Sequence, residues 1–161
     1  MFPIDLPELL HSVQLVLRAA GYDIADADIQ YEWTPAPHHP PSSLPTGMQA
    51  VYCFILGDQC LKVGKAGPNS AARYVSHHYG ASAPSTLAKS IASARDAAMQ
   101  VLRRNQRDAL DTTDIRSVGA WIRNNTGRLN VLAPASAGPN ALSLIEAFLQ
   151  CRLKPLFEGA V

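Results

Sequence analysis

Glu146 stands within, or at the rim of, an apolar helical stripe made by Leu142, Ile145, Phe148, Leu149 and Leu153. A carboxylate there is costly unless it is paired or holds a metal ion. A salt-bridged rim carboxylate is the alternative reading. Arg73 and His77 are spaced i, i+4, which puts them on one face of a helix. A guanidinium grips phosphate through two N–H donors, and an imidazole moves protons near neutral pH. A solvated helix face accounts for the same pair. Tyr52 lies in an apolar run, and Lys62 and Lys65 flank Val63-Gly64. On a strand, Lys62 and Gly64 point to the same face. A position without a side chain lets backbone or substrate approach closely. Taken singly, Tyr52 reads as core and Gly64 as a bend.

These residues need elements to hold them. Residues 5–20 predict an amphipathic helix, with Asp5 and Glu8 in capping-box spacing and Gly21 as its stop. A short strand is expected near 29–33. Residues 34–46 contain five prolines and read as a stiff, extended linker. His38 and His39 in it make a poor metal site, because adjacent side chains diverge in an extended chain. The apolar run 49–56, the turn signal Gly57-Asp58 and residues 60–65 predict a β-hairpin. Helices are expected over 70–79, 85–104, 113–123 and from Pro139 to about 153, with a third strand at 129–132.

The chain of 161 residues is 47% hydrophobic and 17% charged, enough for a real core and too apolar for global disorder. No apolar run approaches the ~20 residues that span a bilayer. The start, Met-Phe-Pro-Ile-Asp-Leu-Pro-Glu, has no basic region and no unbroken apolar stretch, so no signal peptide is expected. Cys53, Cys60 and Cys151 show no paired spacing, which suits a reducing cytoplasm. Charge is uneven. Residues 1–50 carry six acids and one base, and the remainder carries thirteen bases and seven acids. A basic body attracts polyanions such as nucleic acid. Arg103, Arg104 and Arg107 are the expected contacts, with Arg103 and Arg107 on one helix face and Arg116, Arg123 and Arg128 downstream. The acidic arm could mask the body or dock a protein partner.

The order Ala50-Val51-Tyr52, Lys62-Val63-Gly64-Lys65, Arg73-x-x-x-His77, then Glu146 in a helix closing Leu153-Lys154-Pro155-Leu156-Phe157, resembles the GIY-YIG nuclease superfamily over residues 48–158. The resemblance implies an α/β fold with a small, mainly antiparallel three-stranded sheet flanked by helices. Residues 1–47 would be an added arm and 48–161 the nuclease domain. It implies metal-dependent hydrolysis of phosphodiesters, most simply in DNA, with Mg2+ or another divalent cation such as Mn2+ on Glu146. Arg73 would neutralise phosphate charge in the transition state, and Tyr52 or His77 would deprotonate the attacking water. Lys62 and Lys65 would supply the cationic help a tyrosine base needs and would also contact phosphate, Lys65 as part of the nucleic-acid-binding set. Two positions depart from the family pattern. Lys62 replaces its second tyrosine, and Glu158 replaces the asparagine that follows the exit from the last helix. A non-catalytic nucleic-acid-binding or protein-interaction module on the same scaffold is the competing reading.

Overall fold

The computed structural model describes residues 5–81 and 83–158. Helix α1 (Leu6–Ala19) starts where the Asp5 carboxylate accepts the Glu8 backbone N–H at 3.2 Å, and it buries Leu9, Val13 and Leu17. Strand β1 (Gln30–Thr34) precedes the proline-rich segment. Strands β2 (Met48–Leu56) and β3 (Gln59–Ala66) follow it. They form a hairpin in which Leu56 faces Gln59 across Gly57-Asp58. Gly57 takes φ 60°, the left-handed backbone that a tight hairpin turn requires. Helices α2 (Ala71–Val75), α3 (Leu87–Ala92), α4 (Asp96–Asn105) and α5 (Ile115–Asn125) come next. Strand β4 (Gly127–Pro134) and helix α6 (Gly138–Leu153) complete the described elements.

The architecture is α/β, with one antiparallel sheet in the order β1-β4-β2-β3 flanked by helices. The sheet has four strands rather than the three expected. The fourth is β1, which pairs with β4 from Gln30↔Leu132 to Thr34↔Arg128. Most of its residues are exposed, so it lacks the alternation that would announce a sheet strand. The unpaired edge of β4 recruits it.

Residues before 48 therefore contribute directly to the sheet and core. Leu9, Val13 and Leu17 pack with Val51, Val63, Leu129, Ile145 and Leu149 on one sheet face. Tyr52, Phe54, Leu61, Tyr74, Leu87, Trp121 and Ile122 build a second cluster on the other. The proline-rich segment has no regular structure but is anchored. His38 is buried, with its backbone N–H donating to Arg123 O at 2.9 Å.

Two expected helices are shorter than their patterns. The 85–104 pattern divides into α3 and α4, with Arg95 in extended backbone between them. Ser90 and Ser93 turn their hydroxyls back to the Thr86 and Lys89 carbonyls, at 3.1 and 2.7 Å, which competes with helix continuation. The 70–79 pattern divides at Ser76 into α2 and a 3-10 turn, His77–Tyr79. His78 and Tyr79 are both held by side chains of the sheet. Among the described residues no helix is long and apolar enough to cross a membrane.

Candidate active site

Tyr52 sits in central strand β2, fully buried, directly across from Gly64 of β3. A Cβ on Gly64 would come within 2.8 Å of Tyr52 Cε2 and 3.0 Å of its Oη. Gly64 is therefore the floor on which the Tyr52 ring lies, and any side chain there would displace it. Phe54 faces Lys62 in the same register, so Lys62, Gly64 and Tyr52 share one sheet face, as the alternation predicts.

Arg73, on α2, is exposed and lines a cavity of about 290 Å³ with His77, His78 and Thr86. Its guanidinium lies close enough to Tyr52 to act on the hydroxyl by charge. Burial nevertheless pushes Tyr52 up to about 12, against the opposing pull of Arg73 and Arg128. The cations that act on Tyr52 are these arginines and not the two lysines expected.

Lys62 Nζ is spent on Glu158, at 2.7 Å. The two residues that depart from the GIY-YIG pattern thus form one ion pair. Backbone bonds from Leu156 and Phe157 to the Cys60 and Leu61 carbonyls lay the exit segment along the β3 edge and bring Glu158 to Lys62.

Lys65 points to the opposite face, where it meets α6. Its Nζ is 2.7 Å from Glu146 Oε2 and 3.0 Å from Ser143 Oγ. The predicted set is therefore divided. Tyr52, Lys62, Arg73 and His77 belong to the face carrying α2, while Lys65 and Glu146 belong to the face carrying α6. Glu146 still adds a negative influence on Tyr52. Among the described residues no three His, Cys, Asp or Glu side chains cluster as a metal cage. What Glu146 offers a cation is a single carboxylate that already attracts an ammonium group. That donor set fits a hard ion that keeps most of its waters, such as Mg2+ or Mn2+, and not zinc.

Two residues outside the predicted catalytic set are central here. His78, rather than its neighbour His77, touches Tyr52, with Nε2 2.7 Å from the hydroxyl. Desolvation lowers His78 to about 3, aided by Lys62, Arg128 and Arg73. Arg128, expected among the nucleic-acid contacts, is 2% exposed and cannot reach a phosphate backbone. It stacks at 4.8 to 5.4 Å from the Tyr74, Tyr52 and Phe54 ring centroids. It donates to Asn130 Oδ1 (2.9 Å), Tyr79 Oη (3.1 Å) and Tyr74 O (2.6 Å). The sequence signal for it was Arg128 and Asn130 at i, i+2 in an apolar strand, two polar residues on one buried face.

Arg103, Arg104 and Arg107 are all exposed. Because α4 ends at Asn105, Arg107 lies beyond the helix and does not share a helical face with Arg103. Its backbone N–H is held by Asn125 Oδ1 at 2.8 Å. No protein-family model matches the chain, and no curated protein or solved structure matches it significantly.

Proposed function

We propose that the chain is a metal-dependent endonuclease with a GIY-YIG-like core that hydrolyses phosphodiester bonds, with DNA as the substrate. The observation that carries this reading is Tyr52 seated on Gly64, with Arg73 on the neighbouring cavity wall and near enough to act on it by charge. It joins the three sequence motifs of the hairpin and α2 in one place. Arg73 is free at the surface to grip the scissile phosphate and neutralise charge as it builds. Tyr52 is fully buried and keeps its proton at neutral pH, so it braces the site rather than deprotonating the attacking water. His77, half-exposed on the same cavity wall, is the group open to take that proton. Glu146 would hold the divalent cation, whose chemistry is stabilisation of the leaving oxygen. Lys65, displaced from Glu146 by such an ion, would turn to phosphate. Arg103 and Arg104 extend the basic surface.

Incubation with supercoiled plasmid in magnesium, manganese or chelator tests the reading. Metal-dependent nicking that disappears in Glu146→Gln is expected. Tight, salt-sensitive DNA binding without nicking under any metal would favour the binding module. Neither cleavage nor binding would remove both.

A further inference from the structure

A cation of the chain itself already sits at Glu146. Lys65 Nζ lies 2.7 Å from Glu146 Oε2 and 3.0 Å from Ser143 Oγ. Ser143 and Glu146 are spaced i, i+3 on α6, so both oxygens stand on one helix face. Ser143 donates its hydroxyl proton to the Pro139 carbonyl, at 2.9 Å. Its oxygen is therefore turned to Lys65 as an acceptor. A carboxylate and a hydroxyl oxygen are the kind of donors that a hard divalent ion takes.

An ion approaching Glu146 must displace this ammonium or bind against its charge. Either way Lys65 opposes loading. The two side chains are 35% and 20% exposed, so solvent screens the pair less than a fully exposed one. Neither is sealed off: an ion can reach the carboxylate, and a phosphate can reach the ammonium. Lys65 has a flexible four-carbon stem and stands on β3, the last strand of the sheet. Once off Glu146 the ammonium lacks its anion, and a phosphate oxygen supplies another. By linkage, whatever draws Lys65 away tightens the ion, and the ion tightens it by the same factor.

We propose that Lys65 is a latch on the Glu146 cation site, which it holds closed to a divalent ion until a phosphate of the substrate takes the ammonium. This rests on the phosphodiesterase reading and adds its regulation: metal and nucleic acid load together, and the free chain carries little metal. Lys65 acts through Glu146, as a positioning residue. No covalent step is involved.

Two measurements on the full chain test the latch without activity. The first is Mn2+ binding in the absence of nucleic acid, read from the electron paramagnetic resonance signal of free Mn2+. Glu146→Gln should abolish it, and Lys65→Met should tighten it by about ten-fold. Ser143→Ala removes one anchor of Lys65 and no charge, and should tighten it by about two- to three-fold. Equal Mn2+ affinity in the wild type and Lys65→Met would overturn the proposal. A gain in Lys65→Met with none in Ser143→Ala would also overturn it, by reducing the effect to charge repulsion.

The second is binding of a short fluorescein-labelled DNA duplex in chelator, read by anisotropy. Glu146→Gln should bind the duplex about three- to ten-fold tighter than the wild type, because its lysine is released to phosphate. That gain should vanish when Glu146→Gln is made in Lys65→Met. A gain that persists without Lys65 would mean that the carboxylate merely repels DNA, and the latch would fall. If the wild type nicks no plasmid while both measurements come out as expected, the nuclease reading fails and the latch stands. Nicking together with equal Mn2+ affinities keeps the nuclease and removes the latch.

Discussion

Two histidine–tyrosine pairs lie on the same side of the sheet, each with a 2.7 Å contact, and they run in opposite directions. His38 Nδ1 is 2.6 Å from the Thr126 carbonyl, which only accepts, so His38 carries its proton there. Its Nε2 therefore takes the proton of Tyr79, whose oxygen in turn accepts from Arg128. Along that chain every donor has an acceptor. In the His78–Tyr52 pair His78 Nδ1 accepts the Leu87 N–H at 3.2 Å, which leaves Nε2 to donate to the tyrosine oxygen. A closed network of buried polar groups rigidifies a fold. The same two residue types thus fasten the proline-rich segment at one point and tie β2 to the start of α3 at another. Arg128 touches both, bonding to Tyr79 and stacking on Tyr52.

Because Arg128 joins the two regions, its loss should be the most damaging single change. Arg128→Met is expected to cost about 3 kcal/mol or more, since Tyr74 O and Asn130 Oδ1 are left buried without their donor. Urea unfolding would measure it, and a loss below about 1 kcal/mol would mean that the two pairs are independent of it.

Arg73→Lys should divide the regions by activity. Single-turnover cleavage should fall by roughly two decades, because a point charge cannot replace a two-pronged grip. The urea midpoint should stay put, as Arg73 is exposed. His38→Phe should do the converse. It should cost about 2 kcal/mol by orphaning Thr126 O and the Tyr79 hydroxyl, with cleavage under folding conditions within a few-fold of wild type. A rate loss in folded His38→Phe as large as that of Arg73→Lys would place the His38 pair in the proposed site as well.

The pairs should resemble each other in their response to acid. Burial holds His38 below its ordinary value and His78 at about 3. On unfolding, both imidazoles rise to the ordinary value near 6.5 and bind protons that the folded state refuses. Stability is therefore full above about pH 6.5 and falls as the pH drops toward 3, by about 1.4 kcal/mol per pH unit for each histidine in the window. His78→Gln should flatten the slope of unfolding free energy between pH 6 and 4.5 by about one proton. An unaltered slope would mean that His78 is charged in the fold.

The smallest expected effect lies at the edge of the proposed site. Lys62→Tyr and Glu158→Asn should each leave a charge without its partner, and Lys62 is only 8% exposed at its side chain. The double variant should be more stable than the sum of the single changes by about 1 kcal/mol. Strict additivity in urea unfolding would show that the two departures from the GIY-YIG pattern are energetically unrelated.

The elements that could be read in advance are those whose signals are local. Asp5 before the Leu9, Val13, Leu17 stripe, Gly57-Asp58 between two apolar runs, and Pro139 at the start of a leucine-rich helix each act through neighbouring residues. β1 was recognisable only as a short strand near 29–33, because its place depends on the β4 edge a hundred residues away. The division of 85–104 was hidden because its apolar spacing is helical throughout, and the break is made by serine hydroxyls bonding to carbonyls.

The order of Tyr52, Gly64, Arg73, His77 and Glu146 in the chain determined which chemistry to look for, and the alternation of β3 determined that Lys62 and Gly64 share the tyrosine face. Only the tertiary structure decided which histidine meets Tyr52, since His77 and His78 are adjacent and the break at Ser76 turns the second inward. It alone decided that Lys62 is paired with Glu158, and that Arg128 is a buried charge and not a surface one. Caps, turns and alternation are set by residues within a few positions of each other. The direction of a buried hydrogen bond is set by every polar group that converges on it, here from β2, α3 and the turn at His77–Tyr79.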